Sequence, residues 1–474
     1  MFESIRNAFS IPDLRKKLLF TLWMLVFYRV GAHVPTPFID TTALNDYFNN
    51  LAQTGAGNVF GFVDMFTGGA FSQMTVMALG VMPYISASII MQVMNLVIPQ
   101  LQKMSKEGEA GRRKINQVTR YGATALAAFQ SAGLGLWMLN EGLVVSFMAN
   151  NPFLFLLTTV ISLTTGCTIL MWVGERITDR GIGNGMSILI AASIVVRYFT
   201  DAAMGIGLVR AGEKSAFMLL MIVALMVVST IAIILVQEGA RKVPIQHAKR
   251  QVGGGKRVEM GQMNFLPLKV NTAGVIPVIF ASALLSLPTT LFSFIGAGEQ
   301  AGAGFAEWFA MQSRHNLYNW LGLDAGAAWR LLTVVNLHTI LYVVLTIFFC
   351  FFYTAVVFNP QEVAENLKKV GAYVPGYRPG KETADYIDSV ISRITLVGAV
   401  FLVVIALIPQ VLSISFGVAF NVAELTGGTG LIIVVSVVLD TMKHIESQLL
   451  MRHYEGFRMK RAGGGGGARR WSQR

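Results

Sequence analysis

The sequence predicts an all-α, polytopic membrane protein with ten transmembrane helices. Of its 474 residues, 54% are hydrophobic and only 14% are charged, whereas a soluble domain carries about 25% charge. The mean hydropathy is +0.56. Ten stretches are apolar over about the 20 residues that a helix needs to cross a bilayer. The long segments between them alternate between strongly basic and nearly free of Lys and Arg.

Each predicted span is an apolar run that ends at charged or Gly-rich sequence. In the first half the runs are Leu18 to Val34, Ser72 to Ile98, Val118 to Leu139, Phe153 to Val173 and Gly185 to Phe199. In the second half they are Ala216 to Val236, Ala273 to Ile295, Leu331 to Phe358, Ile394 to Leu412 and Leu425 to Leu439. The fifth run is short and follows a glycine-rich segment, so we expect it at the centre of the bundle.

The distribution of basic residues predicts the orientation, because short loops rich in Lys and Arg stay cytoplasmic. Such residues crowd the N-terminal segment, the segments after the second, sixth and eighth spans, and the tail. The opposite loops hold only about five, which are Arg197, Arg210, Lys214, Arg314 and Arg330. Both termini are therefore expected in the cytoplasm.

Counting spans divides the chain into two halves. Residues 1–200 hold five spans, 201–215 form a hinge, 216–454 hold five more, and 455–474 form a basic, Gly-rich tail. Because the count per half is odd, the second half is inverted relative to the first. Inverted repeats usually place a transport pathway at the interface between the halves.

Two of the basic cytoplasmic loops, 237–272 and 359–392, are much longer than a connection between helices requires. They are typical of a docking face for a large acidic partner such as RNA or an acidic protein surface. For most of the other Lys and Arg, the rule that places positive charge in cytoplasmic loops is a sufficient explanation.

The segment from Asn58 to Ala70 is too short to cross a membrane and too apolar to be a free loop. It carries one acid, Asp64, and three glycines. Irregular backbone at membrane depth is tolerated only inside protein or along an aqueous cavity. A re-entrant segment therefore fits best, and an interfacial helix is the alternative.

Polar residues within the spans are costly in lipid and normally face protein or water; they are Arg29, Gln92, Asn95, Gln130 and Asn271. Each can also simply join helices by hydrogen bonds. Pro83 and Pro277 are expected to kink their spans.

The sequence shows no catalytic or metal-binding motif, and we expect no enzyme, cofactor or metal site. Cys167 and Cys350 both fall inside apolar runs, which favours buried thiols over a disulfide or metal site. The spans contain almost no paired ionisable residues, which disfavours an ion-coupled transporter. The first apolar run has no small-residue cleavage site, so we expect it to be retained.

Several strings carry a resemblance to a known family. They are Met82-Pro-Tyr-Ile-Ser-Ala-Ser-Ile-Ile90, Lys106-Glu-Gly-Glu-Ala-Gly-Arg-Arg-Lys114, Gly174-Glu-Arg-Ile-Thr-Asp-Arg-Gly-Ile-Gly-Asn-Gly185, Leu266-Pro-Leu-Lys-Val-Asn271 with Ala273-Gly-Val-Ile-Pro277, and Asn366-Leu-Lys-Lys369 followed by Pro375-Gly-Tyr-Arg-Pro-Gly380. These strings resemble the bacterial SecY family, and the resemblance runs from about Leu14 to Tyr454.

The resemblance implies two five-helix halves around a central pore, with a plug and a lateral gate toward lipid. The plug maps onto 59–70, within which the named residues are Val59, Phe60, Gly61, Phe62, Asp64, Met65, Phe66, Gly68 and Gly69. The family's constricting pore ring maps onto Val81, Ile85, Met186, Ile190, Ile276, Ile279 and Ile433. Without the family, each of these would be an ordinary core residue.

The resemblance also implies gate and docking residues. The second, third, seventh and eighth spans form the gate, with Gln92, Gln130 and Asn271 as polar groups across its seam. The two long loops dock the ribosome and the SecA motor; the basic residues suited to this are Arg241, Lys249, Arg250, Lys256, Arg257 and Arg378.

The resemblance implies a protein-conducting channel in the bacterial plasma (inner) membrane, which passes unfolded secretory polypeptides across the membrane and releases transmembrane segments laterally into lipid. Its expected partners are the SecE and SecG subunits, SecA, the ribosome, signal sequences with their nascent polypeptides, and the lipid bilayer. The energy must come from outside, because the chain has no nucleotide-binding motif.

Overall fold

The computed structural model describes residues 11–53, 63–212, 214–247, 263–295, 337–416, 418 and 420–463. The first half contains these helices: α1 (Pro12–Gly31), α2 (Thr41–Gln53), α3 (Met82–Val97), α4 (Pro99–Lys106), α5 (Glu109–Asn140), α6 (Ser146–Ala149), α7 (Pro152–Arg180) and α8 (Gly185–Arg210). Residues 63–67 add a short helical segment before α3.

The second half contains helices and a small sheet. The elements are α9 (Ala216–Glu238), β1 (Ala240–His247), β2 (Met263–Lys269), α10 (Ile276–Ile295), α11 (Leu337–Val357), α12 (Pro360–Lys369), β3 (Ala372–Tyr373), α13 (Lys381–Phe416), α14 (Phe420–Glu424) and α15 (Gly428–Gly463). Because α15 continues to Gly463, the predicted tail begins as helix.

Within the described residues, seven helices are long and apolar enough to cross a membrane, or eight if the bent pair α3 and α4 is one span. The two remaining predicted spans coincide with α1, which is basic at both ends, and α10, whose apolar part is shorter. Each of the ten predicted spans therefore coincides with a helix. The all-α polytopic class is confirmed.

The kinks predicted at Pro83 and Pro277 are wrong. Each proline lies in the first turn of its helix, α3 or α10, where a proline interrupts no intrahelical hydrogen bond. The second span accordingly becomes helical only at Met82, and residues 72–81 are turns. Pro409, by contrast, does lie inside a helix, α13.

The fifth span is not short. Helix α8 has 26 residues and continues past Phe199, because Asp201 pairs with Arg197 one turn earlier on the same helix. Residues 201–210 of the predicted hinge are consequently helical, which leaves 211–215 as the connection to α9. Among the seven candidate spans, the one at α15 is the most buried, because 83% of its most apolar stretch of 18 residues lies inside the protein. Helix α15, and not α8, is therefore the central helix.

One large apolar core is shared by helices from both halves. It includes buried residues of α1, α3, α5, α7, α8, α10, α11, α13 and α15. By contrast, the candidate span at α9 is only 17% buried, and large apolar side chains such as Phe217 and Leu235 are exposed on it. A helix that is apolar on its exposed face is suited to lipid.

The two long loops form one body, which the sequence did not predict. Strand β1 pairs antiparallel with β2 in the first loop and with β3 in the second. The Tyr373 hydroxyl donates to Gln246 Oε1 at 3.1 Å, and Val243, Leu268 and Ile387 lie in one buried cluster beneath the sheet. The all-α description thus holds for the membrane part, with a three-stranded sheet outside it.

Helix α2 is capped by Asp40. The carboxylate accepts hydrogen bonds from the Thr42 hydroxyl at 2.5 Å and from the backbone N–H groups of Thr42 at 2.9 Å and Ala43 at 3.3 Å. The bond from the Thr42 side chain, followed by those from the backbone, lowers the pKa of Asp40 below its ordinary value. The carboxylate therefore acts as the helix cap in its ionised form.

Candidate functional site

The seven residues of the predicted pore ring come from four helices that are far apart in the sequence. Val81 precedes α3 and Ile85 lies in its first turn, Met186 and Ile190 lie one turn apart at the start of α8, Ile276 and Ile279 begin α10, and Ile433 lies on α15. Residues three or four apart share a helix face. Each helix therefore presents its ring residues on one side.

The structure brings the ring residues into the same apolar core. Six of them are buried members of the large cluster, and Ile276 is partly buried against it. Ile433 is fully buried, at 0% exposure, and Ile190 is 3% exposed. The Met186 sulfur fills the space above Gly174, where any larger side chain would clash. This methionine is therefore held against the α7 backbone.

The described part of the predicted plug is buried inside the protein. Residues 63–67 are helical, and Gly68 and Gly69 follow with φ of 65° and 87°, a conformation that favours glycine. Met65 and Phe66 are each 2% exposed and belong to the same core as the ring. This burial favours the re-entrant interpretation over an interfacial helix. Val59, Phe60, Gly61 and Phe62 lie outside the described residues.

Backbone carbonyls of this segment accept hydrogen bonds from two neighbouring residues of α1. The Tyr28 hydroxyl donates to the Thr67 carbonyl at 3.1 Å and is 2.6 Å from Ser193 Oγ on α8. Arg29 Nη1 donates to the Gly68 carbonyl at 3.1 Å. Residues 64–70 are thus fixed between α1 and α8.

Asp64 forms an ion pair that sequence analysis missed. Its carboxylate pairs with Arg197 of α8 and accepts a hydrogen bond from the Ser72 backbone N–H at 2.9 Å. Arg197 also pairs with Asp201, with 3.1 Å between Nε and Oδ1. Buried Glu424 on α14 is close enough to interact electrostatically with Arg197 and Asp201.

This cluster corrects two sequence-based expectations. Arg197 does not lie in an outer loop; it lies within α8, and its side chain is only 18% exposed. The spans are also not devoid of paired ionisable groups, because Arg197 pairs with both Asp64 and Asp201. A single basic residue in the apolar run before Asp201 was the available sign, since an arginine there needs an acidic partner.

The three predicted gate residues do not all lie where the sequence suggested. Gln92 on α3 donates to Ser88 of its own helix at 3.3 Å, and Gln130 is buried on α5. Asn271 is not inside a span: it lies in the turn before α10 and donates to the Gly274 carbonyl at 2.9 Å. Helix α10 does pack against α3, α5 and α11, so the four predicted gate helices are neighbours.

Two of the predicted docking residues are described, and both lie on the loop body. Arg241 is exposed on β1. Arg378 is exposed in a turn whose backbone is fixed, because its N–H donates to Glu382 Oε2 at 3.2 Å and its carbonyl accepts from the Thr383 hydroxyl at 2.7 Å. Lys249, Arg250, Lys256 and Arg257 lie outside the described residues.

The remaining candidate chemistry is limited. Cys167 and Cys350 are buried free thiols. Within the described ranges, no group of three or more His, Cys, Asp or Glu side chains is placed to hold a metal ion.

Comparisons with known proteins identify the fold independently. Solved structures described as a protein-conducting channel and as Sec61 in the canine ribosome-channel complex from the endoplasmic reticulum superpose with TM-scores of 0.60 and 0.56, at 18% and 17% identity. Each superposition covers 91% of this chain and 92% of the other. A third, a SecY whose plug domain is described as stabilising the closed state and maintaining a membrane seal, gives 0.59 at 18% identity, with the same coverage.

Sequence comparison gives the family. The SecY family model matches residues 75–442. The protein translocase subunit SecY of Escherichia coli (strain K12) is 42% identical over 462 residues, which cover 96% of this chain and 95% of that protein. The corresponding subunit of Streptomyces coelicolor is 42% identical over 467 residues, covering 96% and 100%. This chain belongs to the SecY family.

Proposed function

We propose that this chain is a protein-conducting channel, which passes unfolded secretory polypeptides across the plasma membrane and releases transmembrane segments sideways into lipid. The observation that carries the proposal is the position of the segment at 64–70 relative to the ring. Ser193, which contacts the segment through Tyr28, lies one turn beyond Ile190 on α8. The Met65 sulfur lies 3.0 Å from the position of a Cβ at Gly430, one turn before Ile433 on α15.

These two contacts support a position of the plug segment next to the ring and on one side of it. The fifth and tenth spans run in opposite directions when successive spans alternate. One turn after the ring residue on α8 and one turn before it on α15 are therefore the same side. With the N-terminus in the cytoplasm, that side is the outer one. The segment acts as a stopper over a narrow apolar constriction.

The ring suits passage of many different chains. Apolar side chains seal a narrow pore against water and ions by dewetting, and they make no hydrogen bond that selects one sequence. Val81, Ile85, Ile190, Ile276, Ile279 and Ile433 are branched, and Met186 adds a flexible side chain that adapts to irregular shapes. The channel is thus closed to ions and permissive to polypeptides.

The sideways exit lies between α3 and α5 on one side and α10 and α11 on the other. In the closed state these helices contact each other through apolar side chains. An apolar signal segment replaces those contacts and so has a higher affinity for the open state, which shifts the population toward it. Gln92 and Gln130 lie on the helices that separate, and Asn271 lies at the turn that leads into α10.

The cytoplasmic loop body binds the partners that supply energy. Arg241, Arg378 and the basic residues between 249 and 257 are suited to rRNA phosphates on the ribosome and to acidic surfaces on SecA. SecE and SecG complete the complex within the membrane. Both chain termini face the cytoplasm, and the chain itself performs no chemical step.

Crosslinking of an arrested secretory chain in reconstituted membranes tests this function. Cys167 and Cys350 are first replaced with Ala, and single cysteines are introduced at Ile85, Ile190, Ile279 and Ile433. Crosslinks at all four positions are expected. Cysteines at the exposed positions Val227 and Phe348 serve as lipid-facing controls. Crosslinks only at those controls would show that the ring is ordinary core and would overturn the channel function.

A further inference from the structure

We propose that Arg197 positions the plug segment through a releasable ion pair: it holds Asp64 in the resting channel, and Asp201 balances its charge when the segment leaves. This inference rests on the proposed channel function. It assigns Arg197 a role in setting how strong a signal sequence must be to open the channel.

The first argument is the burial of the pair. The Arg197 and Asp64 side chains are 18% and 4% exposed. In the ion pairs among the described residues that do not involve Arg197, each side chain is at least 26% exposed. Removing one member of a buried pair is costly because it leaves an uncompensated charge. The contact between Asp64 and Arg197 therefore holds the segment far more firmly than a surface ion pair would.

The second argument is that the other polar contacts of the segment depend on its backbone. Tyr28 and Arg29 contact the carbonyls of Thr67 and Gly68, and any residue type supplies a carbonyl. The Asp64 carboxylate is the side-chain group through which the segment contacts α8. The strength of the anchor is thus encoded in the identity of residues 64 and 197.

The third argument is that departure of the segment does not leave Arg197 without a counter-ion. Asp201, on the same helix, already contacts its Nε at 3.1 Å. Two carboxylates, Asp64 and Asp201, thus share the Arg197 guanidinium in the resting channel. When Asp64 leaves, the pair with Asp201 remains, so Arg197 keeps a counter-ion with the segment bound or released. Such bistability makes the anchor both firm and releasable.

The strength of the ion pair between Asp64 and Arg197 affects the signal threshold directly. Opening requires the signal segment to supply enough differential affinity to displace the closed state. A weaker ion pair between Asp64 and Arg197 lowers the affinity that the signal segment must supply. Loss of the Asp201 carboxylate, which balances Arg197 after Asp64 leaves, raises it. Arg197 and Asp201 therefore affect the threshold in opposite directions through Asp64.

The experiment measures ion leak through resting channels in proteoliposomes and the minimum signal hydrophobicity for export, with the complete complex. Asp64→Asn is expected to raise the resting leak by about tenfold, within the range that one coupled contact accounts for. The double variant Asp64→Asn with Arg197→Gln is expected to raise it no further. Asp201→Asn is expected to act in the opposite direction and to require more hydrophobic signals. Glu109→Gln, which removes an exposed ion pair with Arg113, is the matched control and should change neither quantity.

The outcomes separate this inference from the channel function. An unchanged leak in Asp64→Asn overturns the anchor, and a raised leak in Asp201→Asn overturns the receiving role. Either result leaves the channel function standing if the arrested chain still crosslinks at Ile190. If Asp64→Asn fails to insert, a cysteine at Met65 replaces it as the probe. Faster labelling of that cysteine in Arg197→Gln than in Arg197→Lys supports the anchor, and equal labelling rates contradict it.

Discussion

The aliphatic ring and the ionic anchor are adjacent regions that share helix α8, yet their chemistry is opposite. On α8 the ring residue Ile190 is followed one turn later by Ser193 and two turns later by Arg197. The ring consists of apolar side chains without directional bonds, whereas the anchor consists of ion pairs and hydrogen bonds to defined atoms. The difference indicates that passage requires tolerance of many chains, whereas closure requires recognition of one segment.

The largest effect is expected from a substitution on the loop body, outside both regions. Because the ring and the anchor stay intact, it separates partner docking from closure of the pore. Arg378→Glu should abolish motor-driven export, because it reverses the charge on the docking face while the backbone bonds to Glu382 and Thr383 keep the turn folded. Resting ion leak should stay at the wild-type level. Export assays on inverted vesicles, with Lys381→Glu as a neighbouring control, measure this. Normal export in Arg378→Glu would remove this residue from the docking face.

The next largest effect is expected when a polar side chain, of the kind found in the anchor, is introduced into the ring. Ile433→Asn places an amide at a fully buried position, and an unsatisfied buried polar group costs about 1–3 kcal/mol. It should lower the thermal stability of the complex and raise the resting ion leak by wetting the constriction. Ile433→Val preserves the apolar surface and should leave the leak unchanged. Equal leak in the two variants would contradict a seal formed by dewetting.

A smaller effect is expected at the sideways exit. Gln130→Leu adds apolar surface to the buried face of α5, which stabilises the closed contact by roughly 1 kcal/mol. Export should then require correspondingly more hydrophobic signals. Gln117→Leu is the control, because Gln117 is exposed on the same helix and bonds only Tyr121 in the described contacts. An unchanged signal threshold in Gln130→Leu would place Gln130 outside the seam.

The smallest effect concerns the α2 cap, which lies outside the membrane spans. Because hydrogen bonds lower the pKa of Asp40, its contribution to helix stability is present above the unfolded-state pKa. That contribution is lost as the pH falls through the lower folded-state pKa. Protection of the amides of residues 41–44 from hydrogen exchange, relative to the intrinsic exchange rate at each pH, should therefore fall at acid pH. Asp40→Asn keeps a capping oxygen without the titration and should show no such step; a step of equal size in both proteins would refute the assignment.

The comparison of ring and anchor also shows what the sequence reveals and what it hides. Apolar runs located all ten spans, because crossing a bilayer requires about 20 apolar residues whatever the tertiary contacts are. The anchor was hidden, since Asp64 and Arg197 are 133 residues apart and pair only after folding. Because Arg197 was counted as a loop residue, the continuation of α8 to Arg210 was not predicted.

Local sequence rules failed where tertiary context decides. Pro83 and Pro277 predict kinks only if the helix has already begun, and both helices begin at these prolines. The pairing of β1 with β3 joins two loops that lie on either side of α10 and α11 in the sequence, so no local pattern predicts it. The ring residues became recognisable only through the family strings, since each is an ordinary aliphatic residue by itself.

The most direct test of the account is a structure of the complex with an arrested secretory chain. We predict that the chain passes between Ile85, Ile190, Ile279 and Ile433, and that residues 63–70 have left Gly430 while Arg197 remains paired with Asp201. A chain that runs outside the ring, or a segment 63–70 that keeps its contact with Arg197 while the chain passes, would contradict the central claim.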